Sequence, residues 1–100
     1  MNVPYGLREF FEGMGDEDRL AVVILLLSTG PRSPSAIGNA LGLSDSRVER
    51  SLEVLSDIAI IRRVNNKWNE DKKVFDSDYE VYPVYQRILR DIIKTLEVRP

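Results

Sequence analysis

The chain of 100 residues carries 14 basic and 16 acidic side chains, neither histidine nor cysteine, and 43% hydrophobic and 30% charged content. That suits one domain with a modest core and is too apolar for wholesale disorder. Without Cys and His there are no disulfides, no thiolate or imidazole metal ligands, and no Cys or His nucleophile or base; only an all-carboxylate metal site is left open.

Leu7, Phe10, Phe11 and Met14 recur at i, i+3, i+4 and i+7. The spacing predicts a short amphipathic helix over residues 5–13, ended near Gly13 or Gly15. Its aromatic face needs a partner, either the same domain or a second copy of the chain. The first fifteen residues do not join a basic region to an apolar core, so no signal peptide is expected. Asp16-Glu17-Asp18 place negative charge at the start of the next helix, whose apolar run from Leu20 to Leu27 ends at Ser28-Thr29-Gly30-Pro31. That run is too short to span a membrane. Being apolar nearly all round, it is expected to be a central helix buried on most sides. The acidic triplet reads as helix-start electrostatics in preference to a cation site.

Residues 33–57 form the clearest pattern. Ser33 caps a helix that starts with Pro34, where the missing N–H costs nothing; Ile37, Ala40 and Leu41 share a face, and Gly42 ends it. Leu43 packs back, and Ser44 caps a second helix with Asp45 in its first turn. Val48, Leu52 and Leu55 face inward at helical spacing, leaving Ser46, Arg47, Glu49, Arg50 and Glu53 at or near the outer face. Two short helices around a glycine turn are a helix-turn-helix plan.

The β-branched stretch from Ala59 to Val64 predicts a strand, with a hairpin over about 59–76. Asn65-Asn66 can form its turn, and so can Asn69-Glu70-Asp71-Lys72; the second choice is favoured, with strands near 60–67 and 73–75. Trp68 then lies near the tip or on the return strand, where folding back on the core is the commoner outcome and stacking on a partner or a base the alternative. Asp76-Ser77-Asp78-Tyr79-Glu80 imitates the opening of a calcium loop, but Val81 and Arg87 stand where a glycine and a bidentate glutamate are needed. It is expected to be a polar connection. The last helix runs over about 82–97, with Pro83 in its first turn. Tyr85, Ile88, Leu89, Ile92, Ile93 and Leu96 form its apolar stripe. Pairing with a second chain is expected for this stripe and for Leu7, Phe10 and Phe11, with packing inside one chain as the competitor.

Charge is unevenly placed. Residues 60–73 hold five basic side chains (Arg62, Arg63, Lys67, Lys72 and Lys73) against Glu70 and Asp71, a local excess of +3 in a chain whose net charge is −2. The positive field therefore sits on the expected hairpin, as either a solvated surface or a polyanion-facing one.

The order helix, helix, turn, helix, basic hairpin, helix resembles a winged helix-turn-helix. The wording of residues 18–25, 36–44 and 60–63, with Val48, Leu52-Glu53-Val54-Leu55 and Lys67-Trp68, is similar to ArsR-like and neighbouring MarR/PadR-like bacterial and archaeal repressors. The resemblance covers roughly residues 16–75. It implies a mainly α, single-domain chain (1–100) that forms a homodimer and puts the 44–57 helix into the DNA major groove. By position it assigns contacts at or near the bases to Asn39, Ser44, Ser46, Arg47, Arg50 and Ser51, and phosphate contacts to Arg62, Arg63, Lys67, Lys72 and Lys73. This chain departs from the pattern at Glu49 and Glu53, which repel phosphates, and at Ala59, where a glycine is usual. It lacks the Cys and His ligands of the metal-sensing branch, which argues against a metal-responsive switch.

The expectation is thus a cytoplasmic, prokaryotic, sequence-specific regulator of transcription that binds double-stranded DNA and needs no cofactor. A winged-helix module that binds protein in place of DNA is the alternative, supported by the net charge and by Glu49 and Glu53. No enzyme is expected: Gly13-Met14-Gly15 is too short for a phosphate loop and follows no strand, and there is no histidine to activate a serine.

Overall fold

A computed structural model describes residues 16–97. The helix expected over 5–13, with Leu7, Phe10 and Phe11, lies outside the described residues, as do the side chains of Ile93 and Leu96. Asp16 starts the first described helix, α1 (Glu17–Thr29): its carboxylate accepts from the backbone N–H groups of Asp18 and Arg19 at 2.8 and 3.3 Å. Gly30, at φ 81°, ends it. Val22, Val23, Leu26 and Leu27 are buried, but Leu20 and Ile24 are exposed, which corrects the expectation of a helix buried on most sides.

The next two helices follow the local signals. In α2 (Pro34–Leu41) the Ser33 hydroxyl accepts from the Ala36 N–H at 3.1 Å, and Gly42 adopts the left-handed conformation at φ 66°. The Leu43 N–H then donates to the Gly38 carbonyl at 3.0 Å, closing the turn. In α3 (Asp45–Asp57) Ser44 caps in the same way, accepting from the Arg47 N–H at 3.3 Å. Gly38 lies where α2 packs against the turn and the first part of α3. A Cβ there would stand 3.1 Å from the Leu43 carbonyl oxygen and 3.4 Å from Val48 Cγ2.

A hairpin follows, with β1 (Ile61–Asn69) antiparallel to β2 (Val74–Val81). The favoured turn near 69–72 matches, but β2 extends to Val81 where a polar connection was expected. The acidic residues that suggested a loop are cross-strand partners: Glu80 pairs with Arg62 (2.7 Å) and Asp78 accepts from the Asn65 amide (3.1 Å). Asn65-Asn66 is a bulge, with Asn65 at φ 55° and the pairing shifted between Val64 and Lys67. Arg32 exchanges both backbone hydrogen bonds with Tyr79, tying the end of α1 to the hairpin.

The last helix, α4 (Pro83–Glu97), returns to the core. Its Arg90 donates to the Leu27 carbonyl at 3.0 Å, supplying the basic group that the last turn of α1 lacks. Leu89 is 1% exposed and joins Ile37, Val48, Leu52, Leu55, Ile60, Ile61 and Val81 in the core, with half-buried Tyr85 packed beside it. The dimerisation role expected of Leu89 is therefore corrected, because its side chain is used up within its own chain. Ile88, 49% exposed, and Val84, 70% exposed, form the outward edge of the same helix.

Candidate nucleic-acid interface

Successive residues of α3 advance by about 100° around its axis. Val48, Ser51, Leu52 and Leu55 fall on one arc and are buried; Ser46, Arg47, Glu49, Arg50 and Glu53 fall on the other and are exposed. Ser51 is 3% exposed, so it is withdrawn from the base-contacting set: it sits three residues after Val48 on the core-facing stripe. The Ser44 hydroxyl is engaged as the cap, and Asn39 stands exposed on α2.

The exposed arc has two sides of opposite sign. On the side toward α1, Arg47 meets Asp18 through two hydrogen bonds, Nε to Oδ2 at 2.9 Å and Nη2 to Oδ1 at 2.6 Å. The Arg47 guanidinium, and less strongly that of Arg50, holds the Asp18 carboxyl below its ordinary range. On the other side Glu49, Glu53 and Asp57 line a cleft whose opposite wall includes Arg62, Arg63, Tyr79 and Tyr82. Arg62 lies over the Tyr82 ring at 5.5 Å and Arg63 over the Tyr79 ring at 5.9 Å, with Arg63 Nε donating to the Tyr79 hydroxyl at 3.1 Å. The two carboxylates that depart from the repressor pattern thus face a wall that carries positive charge.

No family model and no curated protein matches the sequence. Solved structures do match. Reduced HlyU from Vibrio cholerae superposes with a TM-score of 0.73 at 17% identity, covering 94% of this chain and 90% of that one. A transcriptional regulator homologue from Pyrococcus horikoshii gives 0.69 at 17% identity, covering 92% and 90%. A homodimeric winged helix-turn-helix DNA-binding domain from Mycobacterium bovis, a possible ArsR-family regulator, gives 0.69 at 16%, covering 92% and 78%. The fold is a winged helix-turn-helix.

In that fold α3 is the second helix of the helix-turn-helix and the β1–β2 hairpin is the wing. Of the wing's five basic side chains, three have partners inside the chain: Arg62 with Glu80, Arg63 with Tyr79, and Lys73 with Glu70 at 3.3 Å. Lys67 and Lys72 make no side-chain bond to another described residue. Trp68 corrects the expectation that it folds onto the core. Because β1 runs on to Asn69, Trp68 sits near the wing tip, exposed, with its ring edge-on to Phe75 across the strands at 5.0 Å. Exposed Val74 precedes Phe75 in sequence, so the tip is apolar between lysines. Asp18 and the two tyrosines beneath the wing arginines escape a reading by periodicity, since each meets its partner across at least 16 residues.

Among the described residues no group of His, Cys, Asp or Glu is placed to hold a metal, and no helix is long and apolar enough to cross a membrane.

Proposed function

We propose that the protein is a homodimeric, sequence-specific DNA-binding regulator of transcription, working in the cytoplasm and without catalysis. One observation carries the reading: α3, the recognition helix in this reading, turns Ser46, Arg47 and Arg50 outward while a lysine-bearing wing projects from the same domain. An arginine can donate two hydrogen bonds to guanine O6 and N7, so Arg50 and Arg47 read base edges, with Ser46 and Asn39 beside them. Lys67 and Lys72 take phosphates and release counterions; Lys73, Arg62 and Arg63 add positive field from their partnered positions. Ser44 sits where the helix N-terminus approaches a phosphate. The similar structures include transcriptional regulators and one homodimeric DNA-binding domain, which supports this use of the fold. Dimerisation is assigned to Ile88 and Val84 on the outer edge of α4 and, on the sequence pattern alone, to Ile92, Ile93, Leu96, Leu7, Phe10 and Phe11. Two recognition helices then address successive major grooves about one helical turn apart.

The test is fluorescence anisotropy of a labelled random-sequence duplex across a salt series. Binding is expected to tighten as salt falls, with a log–log slope of several units. Replacing Lys67 and Lys72 by Ala lowers that slope by roughly 2 and weakens all sequences alike, whereas Arg50→Ala relaxes sequence choice. Flat traces at low salt overturn the reading. They favour instead a module that binds protein, for which the exposed Trp68, Val74 and Phe75 at the wing tip supply the contact surface.

A further inference from the structure

Among the described residues, Arg47 is the outward base-reading candidate whose hydrogen-bonding fork is already filled. Its partner is well placed to hold it. Asp18 lies in the first turn of α1, with its backbone N–H bound at 2.8 Å by the Asp16 carboxylate, so the Asp18 carboxylate projects from a fixed point. The Asp18 side chain is 22% exposed and that of Arg47 56%. The pair is open to solvent and therefore weak enough to be exchanged for another acceptor.

We propose that Asp18 is a specificity-determining residue: it holds Arg47 in reserve over arbitrary sequence and releases it only to an acceptor that replaces both hydrogen bonds. The inference rests on the DNA-binding reading above. Guanine offers O6 and N7 side by side in one plane, which matches the two bonds Arg47 gives up. A phosphate reached at an arbitrary register rarely offers two oxygens in the fork, and moving Arg47 there leaves the Asp18 carboxylate bare beside a polyanion. Arg47 then contributes little to non-specific binding and much to a site with guanine in register. Arg50 makes no hydrogen bond to a described side chain and supplies the unconditional contact.

The experiment compares Asp18→Asn, Arg47→Ala and the double variant with the parent chain on a random-sequence duplex and on a duplex selected by the parent from a random pool. Asp18→Asn is expected to bind the random duplex several-fold more tightly, with its salt slope steeper by about 0.9, one extra phosphate contact. The selected duplex gains less, so the ratio of selected to random affinity falls about 5-fold or more, a change within the range one base contact supplies. The double variant returns to within about twofold of the parent on random DNA, because a mutually neutralising pair has been removed together. An unchanged slope in Asp18→Asn overturns the role of Asp18, and so does a gain that survives loss of Arg47. A parent chain that binds no duplex even at low salt overturns the DNA-binding reading itself, a distinct result. Thermal unfolding by circular dichroism shows whether Asp18→Asn is folded, and Asp18→Ser, which also lacks the carboxylate, repeats the comparison on a second background.

Discussion

The helix-turn-helix buries Ile37 and Gly38 from α2 and Val48, Ser51, Leu52 and Leu55 from α3, whereas the wing buries only Ile61 and Val81. Those two residues pair with each other at the wing's root. Beyond the root the wing rests on exposed polar pairs: Arg62 with Glu80, Asn65 with Asp78, and Asn69 with Asp76 at 2.9 Å. Each such pair contributes little alone. One region is thus fixed by close packing and the other by register, so the outer wing can open locally at lower cost than the helix-turn-helix.

Four substitutions sharpen that contrast. Leu55→Ala empties a site at the centre of the core and is expected to cost about 2–5 kcal/mol in urea denaturation, while Trp68→Ala at the wing tip costs under about 1 kcal/mol. Equal losses would mean that the wing tip is part of the core's cooperative unit. Gly38→Ala forces the new methyl against the Leu43 carbonyl and is expected to cost about 1–3 kcal/mol; an unchanged midpoint would show that the turn yields. An effect of opposite sign lies at the joint between the regions. Ala59 occupies φ 59°, a conformation that strains a side-chain-bearing residue. Ala59→Gly is expected to gain about 0.5–1 kcal/mol, the relief exceeding the added backbone entropy. A loss there would mean that the entropy dominates.

The same contrast explains what was legible in the sequence. Ser33, Pro34, Gly42 and Ser44 act on neighbours within a few residues, so both helices of the motif could be read from local chemistry. In the wing, Asp78 and Glu80 gain their meaning from Asn65 and Arg62, 13 and 18 residues away, and alone they read as a loop. Asn65 was a candidate turn residue because asparagine tolerates positive φ, and a bulge uses the same tolerance. The burial of Ser51 is legible in its place on the Val48–Leu55 stripe, which outweighs its small polar side chain. The Asp18–Arg47 pair spans 29 residues, and no local pattern announces it.

Helix α1 is tied both to α3 and to the wing. Asp18 near its start grips Arg47 on α3, and Arg32 just past its end bridges to Tyr79 in the wing. Its 13 residues amount to a rod of about 20 Å at 1.5 Å per residue. That rod is a ruler: inserting or deleting a turn within it would change the distance between the anchor of Arg47 and the anchor of the wing, with every side chain of both left intact.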